Sequence, residues 1–140
     1  DKRLSKTPKV FFMDTGLVCH LTRWTTPDQL RNGAVAGHVF ETFVVSEVLK
    51  SYMNAGTNLR DVWFYRDAKK REINLVIQEG NVLHPVEIKM AATVGSDVVK
   101  NFGCLDSLSD YKVGFGHVVC QTDEPYLVTH NVQAVPVWEV

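Results

Sequence analysis

The sequence lacks most of the features that assign a protein quickly. It has only three cysteines, Cys19, Cys104 and Cys120, an odd number set far apart. They form neither a zinc-ligand spacing nor a disulfide framework, which suits a reducing cytoplasm. No apolar run approaches the length of a membrane span, so no membrane association is expected. No basic-then-apolar leader marks the chain for export. A Gly-rich loop of the Walker type is missing, so this chain by itself is not expected to bind ATP. Internal repeats and low-complexity tracts are missing too. Charge of one sign is in short supply: 15 Lys and Arg stand against 16 Asp and Glu, for a net charge of −1. That balance argues against a strongly basic nucleic-acid binder and leaves room only for a local patch. The five histidines are scattered over unlike segments and are not expected to ligate a metal.

What is present fits one globular domain. The chain has 140 residues, 45% of them hydrophobic, enough to bury a single core. Residues 1–8 are polar, lack an initiator Met and lead straight into an apolar run. They read as the remnant of a linker, with 9–140 as the domain, so the chain is expected to be a fragment of a longer protein.

The most informative stretch is 71–89, which reads as a hairpin. Its arms, 71–78 and 82–89, alternate polar and apolar residues near their outer ends, the period of a strand with two unlike faces. Gly80-Asn81 is a two-residue turn, since both residues tolerate positive φ. In that register Glu79 faces Val82, Asn74 faces Glu87 and Glu72 faces Lys89. Opposed residues share a face, with Cβ atoms roughly 5 Å apart. One face is then expected to carry Glu72, Asn74, Glu87 and Lys89, and the other Ile73, Leu75, Ile77, Val86 and Ile88. A carboxylate and an ammonium two residues apart on one strand can offer a metal ligand beside a cation for phosphate charge. The same pattern is common on exposed strands.

Along the chain, 9–13 reads as a strand, turned by Asp14-Thr15-Gly16 into a helical turn at 17–21. Thr26 caps a short helix with Pro27 at its first position, ended by Asn32-Gly33. The longest helical pattern covers 36–53. At 100° per residue, Phe40, Val44, Val45, Val48, Leu49 and Tyr52 form one apolar arc, with Ser46, Glu47 and Lys50 opposite. Glu41 falls inside the arc. A carboxylate there needs a partner. It either enjoys the helix N-terminus or a structural Arg or Lys, with Arg71 and Lys89 as candidates, or it points at a metal. Residues 61–66 form an aromatic strand, joined to the hairpin by a turn holding the one dense basic cluster, Lys69, Lys70 and Arg71. A second helix is expected over 96–108, with Val98, Val99, Phe102 and Leu105 inward. Strands are expected over 112–120, 126–129 and 135–138. The order predicts an α/β fold, a mixed central sheet flanked by helices.

An ordered set of motifs runs over nearly the whole chain: Lys9-Val10-Phe11-Phe12-Met13-Asp14-Thr15-Gly16-Leu17, Gly37-His38-Val39-Phe40-Glu41, Val62-Trp63-Phe64-Tyr65-Arg66-Asp67, Arg71-Glu72-Ile73-Asn74-Leu75-Val76, Pro85-Val86-Glu87-Ile88-Lys89 and Ala134-Val135-Pro136-Val137-Trp138. Together they resemble the C-terminal domain found after AAA-type ATPase modules, classed as domain of unknown function 4143. More broadly they resemble the restriction-endonuclease-like, PD-(D/E)XK core. The resemblance implies a site in which Glu41, Asn74 and Glu87 gather Mg²⁺ and Lys89 orients water or stabilises phosphate, all four meeting in one pocket. The basic cluster Lys69, Lys70 and Arg71 reads by default as a solvated turn; its place at the start of the polar-faced strand gives nucleic-acid phosphate contact as the alternative. Asn74 departs from the pattern, which has Asp there. One neutral carbonyl oxygen replaces a full charge, so Mg²⁺ is expected to bind weakly. The implied protein is a nuclease-like module of a cytoplasmic ATPase. It recognises DNA, RNA or a protein partner without catalysis; the alternative is slow Mg²⁺-dependent phosphodiester hydrolysis.

Overall fold

In the computed structural model, which describes residues 9–140, three α-helices precede a sheet. They are α1 (Thr15–Leu21), α2 (Pro27–Arg31) and α3 (Ala36–Asn54). The strands are β1 (Val62–Arg66), β2 (Glu72–Glu79), β3 (Val82–Ile88), β4 (Lys112–Val113), β5 (Gly116–Cys120), β6 (Tyr126–Thr129) and β7 (Val132–Pro136). They form one seven-stranded sheet in the order β1-β2-β3-β5-β7-β6, with β4 pairing beside β5 on β3. The β3–β4, β3–β5 and β5–β7 pairs are parallel and the remainder antiparallel, so the sheet is mixed as expected. The expectation of a linker over 1–8 lies outside the described residues. No helix among the described residues is long and apolar enough to cross a membrane.

The central hairpin forms as its turn residues dictate. Gly80 takes a φ of 61°, which costs glycine nothing. Asn81 needs no positive φ, the arrangement of a two-residue turn with Gly in its first central position. Glu79 faces Val82 and Leu75 faces Val86, the register anticipated from sequence. One detail differs. Between Trp63↔Val76 and Tyr65↔Ile73, β1 advances two residues while β2 advances three. The extra residue on β2 is a bulge opposite Phe64, and it flips the alternation locally. Ile73 therefore packs with Val76, Leu83, Val118 and Leu105 on one face, whereas Leu75, Val86 and Ile88 pack with Val44, Val45 and Val119 on the other. The expectation that Ile73 and Leu75 share a face is corrected by this bulge, in which Asn74 and Leu75 together oppose Phe64.

The two faces are covered unequally. Helix α3 covers one, burying Val44 and Val45 and packing Phe40, Val48 and Leu49 against the sheet. Ser46, expected on the solvent side, is buried, its hydroxyl donating to the Phe43 carbonyl. The other face is covered by two stretches of 3₁₀ turn, Ser96–Val99 and Phe102–Ser107. The helix expected over 96–108 is thus two short pieces. Val98-Val99, Asn101, Gly103 and Ser107 are weak helix formers, and tertiary packing takes only single turns from them. The inward residues are as expected: Val99, Phe102 and Leu105 are buried and Val98 packs beside them.

Two further expectations shift. The segment 9–13 joins no strand. Both edges of the sheet are formed by other strands, β1 and β6. Phe11 packs under the α3 side, while Val10 and Phe12 stay exposed. The expected strand 112–120 is broken at Gly114-Phe115 into β4 and β5, and the last strand ends at Pro136, before Trp138. A Cβ on Gly114 would lie 2.6 Å from the His84 ring, so the chain passes His84 too closely for any side chain.

Candidate functional site

Glu41 is the centre of the polar cluster. Helix α3 begins at Ala36, and its first turn holds no acid. Glu41 lies beyond that turn, where the helix dipole has faded. Its side chain is 14% exposed and is satisfied by partners instead. Lys9 Nζ and Asn74 Nδ2 both donate to the same oxygen, Glu41 Oε1, the latter at 2.7 Å. Arg71 and Lys89, the partners anticipated for Glu41, are engaged elsewhere.

The bulge in β2 is what lets Asn74 reach across. Its Oδ1 accepts the Ile88 backbone N–H at 2.9 Å while its Nδ2 faces Glu41. A backbone N–H can only donate and an ionised carboxylate can only accept, so this orientation of the amide is fixed by its neighbours. Asn74 thus cross-links β3 and α3, using a donor that aspartate does not have.

Glu87 is 8% exposed on β3 and pairs with Lys89 Nζ at 2.8 Å. Burial pushes its carboxyl above the ordinary carboxylate value; the Lys89 ammonium pulls it back, and the charge of Glu41 adds to the rise. Gly37, His38, Glu41, Asn74, Ile88 and Lys89 line a cleft of about 240 Å³. Three of the four expected residues therefore share one cleft. Glu87 does not line it, though it is tied to Lys89 at its margin.

The remaining sequence-derived positions fall outside. Glu72, expected opposite Lys89, pairs with Arg66 at 3.1 Å. Arg71 is drawn back onto Asp67 at 2.6 Å. Asp67 also accepts the backbone N–H groups of Lys69 and Arg71. Burial works to raise the Asp67 pKa, yet these hydrogen bonds and the Arg71 charge hold it below the ordinary value. They close a tight turn in which Lys70 takes a φ of 61°. Lys69 and Lys70 are exposed and stand in no ion pair among the described residues.

Two residues near Glu41 escaped sequence reasoning, Lys9 as its ion-pair partner and His38 as a lining residue of the cleft. Lys9 had no signal beyond the bare need of Glu41 for a cation. His38 had one: it precedes Glu41 by three residues on α3, the spacing that brings helical side chains together.

The donor set can be tested against Mg²⁺, which takes hard oxygens in near-octahedral geometry. Here Glu41 Oε1 already receives two N–H donors, and Asn74 Oδ1 is taken by a backbone N–H. Asn74 turns hydrogens, not a lone pair, toward Glu41. No three His, Cys, Asp or Glu side chains gather as a metal site among the described residues. As placed, these residues do not fit the ion.

Among known proteins, the family model described as "Domain of unknown function (DUF4143)" matches residues 36–140. No curated protein matches the chain, and no solved structure does.

Proposed function

Because the chain belongs to the DUF4143 family of domains of unknown function, we propose that it is a nuclease-like module in which catalysis has lapsed and recognition remains. The PD-(D/E)XK reading rests on the ordered motifs and on the meeting of Glu41, Asn74 and Lys89 in one cleft. The observation that carries the loss of catalysis is Asn74 itself. Its amide satisfies Glu41 and the Ile88 N–H together, so the cluster is complete without a divalent ion. The motif resemblance also supports reading the chain as the C-terminal companion of an AAA-type ATPase module in a longer polypeptide, working in the cytoplasm.

Nucleic acid is the ligand favoured by the turn beside β2. Lys69 and Lys70 are exposed there without acidic partners among the described residues, while Asp67 accepts from the backbone N–H groups of the turn. Such a pair contributes phosphate contacts and no base readout, so binding is expected to be weak, sequence-independent and salt-sensitive. The test is fluorescence anisotropy with labelled single- and double-stranded DNA and RNA. Binding should weaken with salt and weaken further in Lys69→Ala/Lys70→Ala. The same substrates are then incubated with Mg²⁺ or Mn²⁺, beside Lys89→Ala. Cleavage by the native chain that Lys89→Ala abolishes would overturn the non-catalytic reading in favour of phosphodiester hydrolysis. Absence of any binding would remove nucleic acid as the ligand.

A further inference from the structure

Glu41 has a second set of neighbours, outside the residues that line the cleft, which the nuclease-like reading does not use. Lys9 Nζ, besides its bond to Glu41, lies 5.2 Å from the centroid of the Phe11 ring and 5.1 Å from that of Phe64. Phe64 stands opposite the bulge that delivers Asn74. One carboxylate and two aromatic faces therefore surround a single ammonium. Aromatic faces attract organic cations through the ring quadrupole. They supply no oxygen for a divalent ion. Glu41 Oε1 accepts from Asn74 Nδ2 and from the Lys9 ammonium together, so the oxygen is already engaged by hydrogen-bond donors of the kind an alkylammonium supplies.

We infer that this is an ammonium-binding site, with Lys9 as its tethered ligand, and that its chemistry selects a primary alkylammonium over Mg²⁺. Lys9 arrives on a segment that belongs to no strand, so the ammonium is brought in by side-chain chemistry rather than by the sheet. Its side chain remains 27% exposed, against 14% for Glu41, so solvent reaches the lysine side of the pair more readily. A free alkylammonium can enter from there once the tether is removed. The inference stands whether or not the domain holds nucleic acid.

Chemical rescue tests it in the full chain. Lys9→Ala removes three methylenes and the ammonium, a fragment that n-propylammonium replaces. The melting temperature should fall in Lys9→Ala, and n-propylammonium chloride should restore at least half of the loss. Sodium chloride at matched ionic strength, 1-propanol and Mg²⁺ should not. Lys9→Ala/Glu41→Gln should show no rescue. Equal responses to n-propylammonium and sodium would overturn the inference, as would rescue by Mg²⁺ alone. Should Lys9→Ala fail to fold, the native chain decides. The Lys9 side-chain ammonium should give a slowly exchanging NMR correlation that Glu41→Gln abolishes. A correlation as fast-exchanging as those of the exposed lysines would sink the idea.

Discussion

Asn74 donates to Glu41 at 2.7 Å across the gap between β2 and α3, and its other amide atom holds the backbone of β3. An aspartate in that position would turn an acceptor toward an acceptor. The cluster is thus built around the amide, and the difference of one atom decides whether it is complete by itself.

Asn74→Asp should cost about 2 kcal/mol at neutral pH, the scale for a largely buried acceptor left facing another. A proton shared between the two acids relieves the repulsion, so the loss should shrink as the pH falls. Chemical denaturation at neutral and at acidic pH measures both. If the cluster descends from a metal site, Mg²⁺ should raise the melting temperature of the variant and leave the native chain unmoved. No response in either would remove support for the nuclease-like reading.

Glu87 gives a pH dependence of definite sign. Its pKa is raised on folding, chiefly by burial. The folded chain then holds the proton more tightly than the unfolded one. The stability it contributes is full below the ordinary carboxylate value and is lost as pH rises through the folded value. Glu87→Gln should therefore gain stability relative to the native chain as pH rises across that window. Urea midpoints over a pH series provide the comparison, and parallel curves would refute it.

His117 should act in the opposite direction. Burial lowers its pKa below 6.5, and the nearby His84 lowers it further. Its contribution is present above 6.5 and is lost as pH falls through the depressed folded value. His117→Gln should flatten that acid limb. Proton NMR titration of the His117 ring should place its midpoint below the ordinary histidine value of 6.5.

Gly116 opens β5 where the Phe102 ring closes over the sheet. A Cβ there would meet that ring at 2.9 Å and the Val132 side chain at 3.2 Å. Gly116→Ala should cost about 1–3 kcal/mol, the usual scale for overpacking a filled core. Phe102→Leu in the same chain should recover part of it, because the leading contact is to the ring. Additive losses in the double variant would show that the strain lies elsewhere.

Much of the fold could be read in advance because its signals are local. The hairpin register followed from Gly80-Asn81 and the alternation beside it. The cap at Thr26, with Pro27 behind it, set the start of α2, and the apolar arc set the extent of α3. The failures share a cause. Residues 96–108 carry the inward pattern of a helix without the propensity for one, and packing settled for single turns. Residues 9–13 have the composition of a strand, but strand formation needs an edge to pair with, and composition says nothing about that.

The sequence by itself determined which residues turn, cap and face inward, because those choices depend on neighbours a few positions away. It also marked Glu41 as an acid in need of a partner. Only the tertiary structure decided who that partner is. Lys9 lies 32 residues from Glu41 and Asn74 lies 33 away. The bulge that aims Asn74 exists only because β1 and β2 pair with unequal steps. A contact made across such distances is set by how the sheet and helix pack, and no local pattern encodes it.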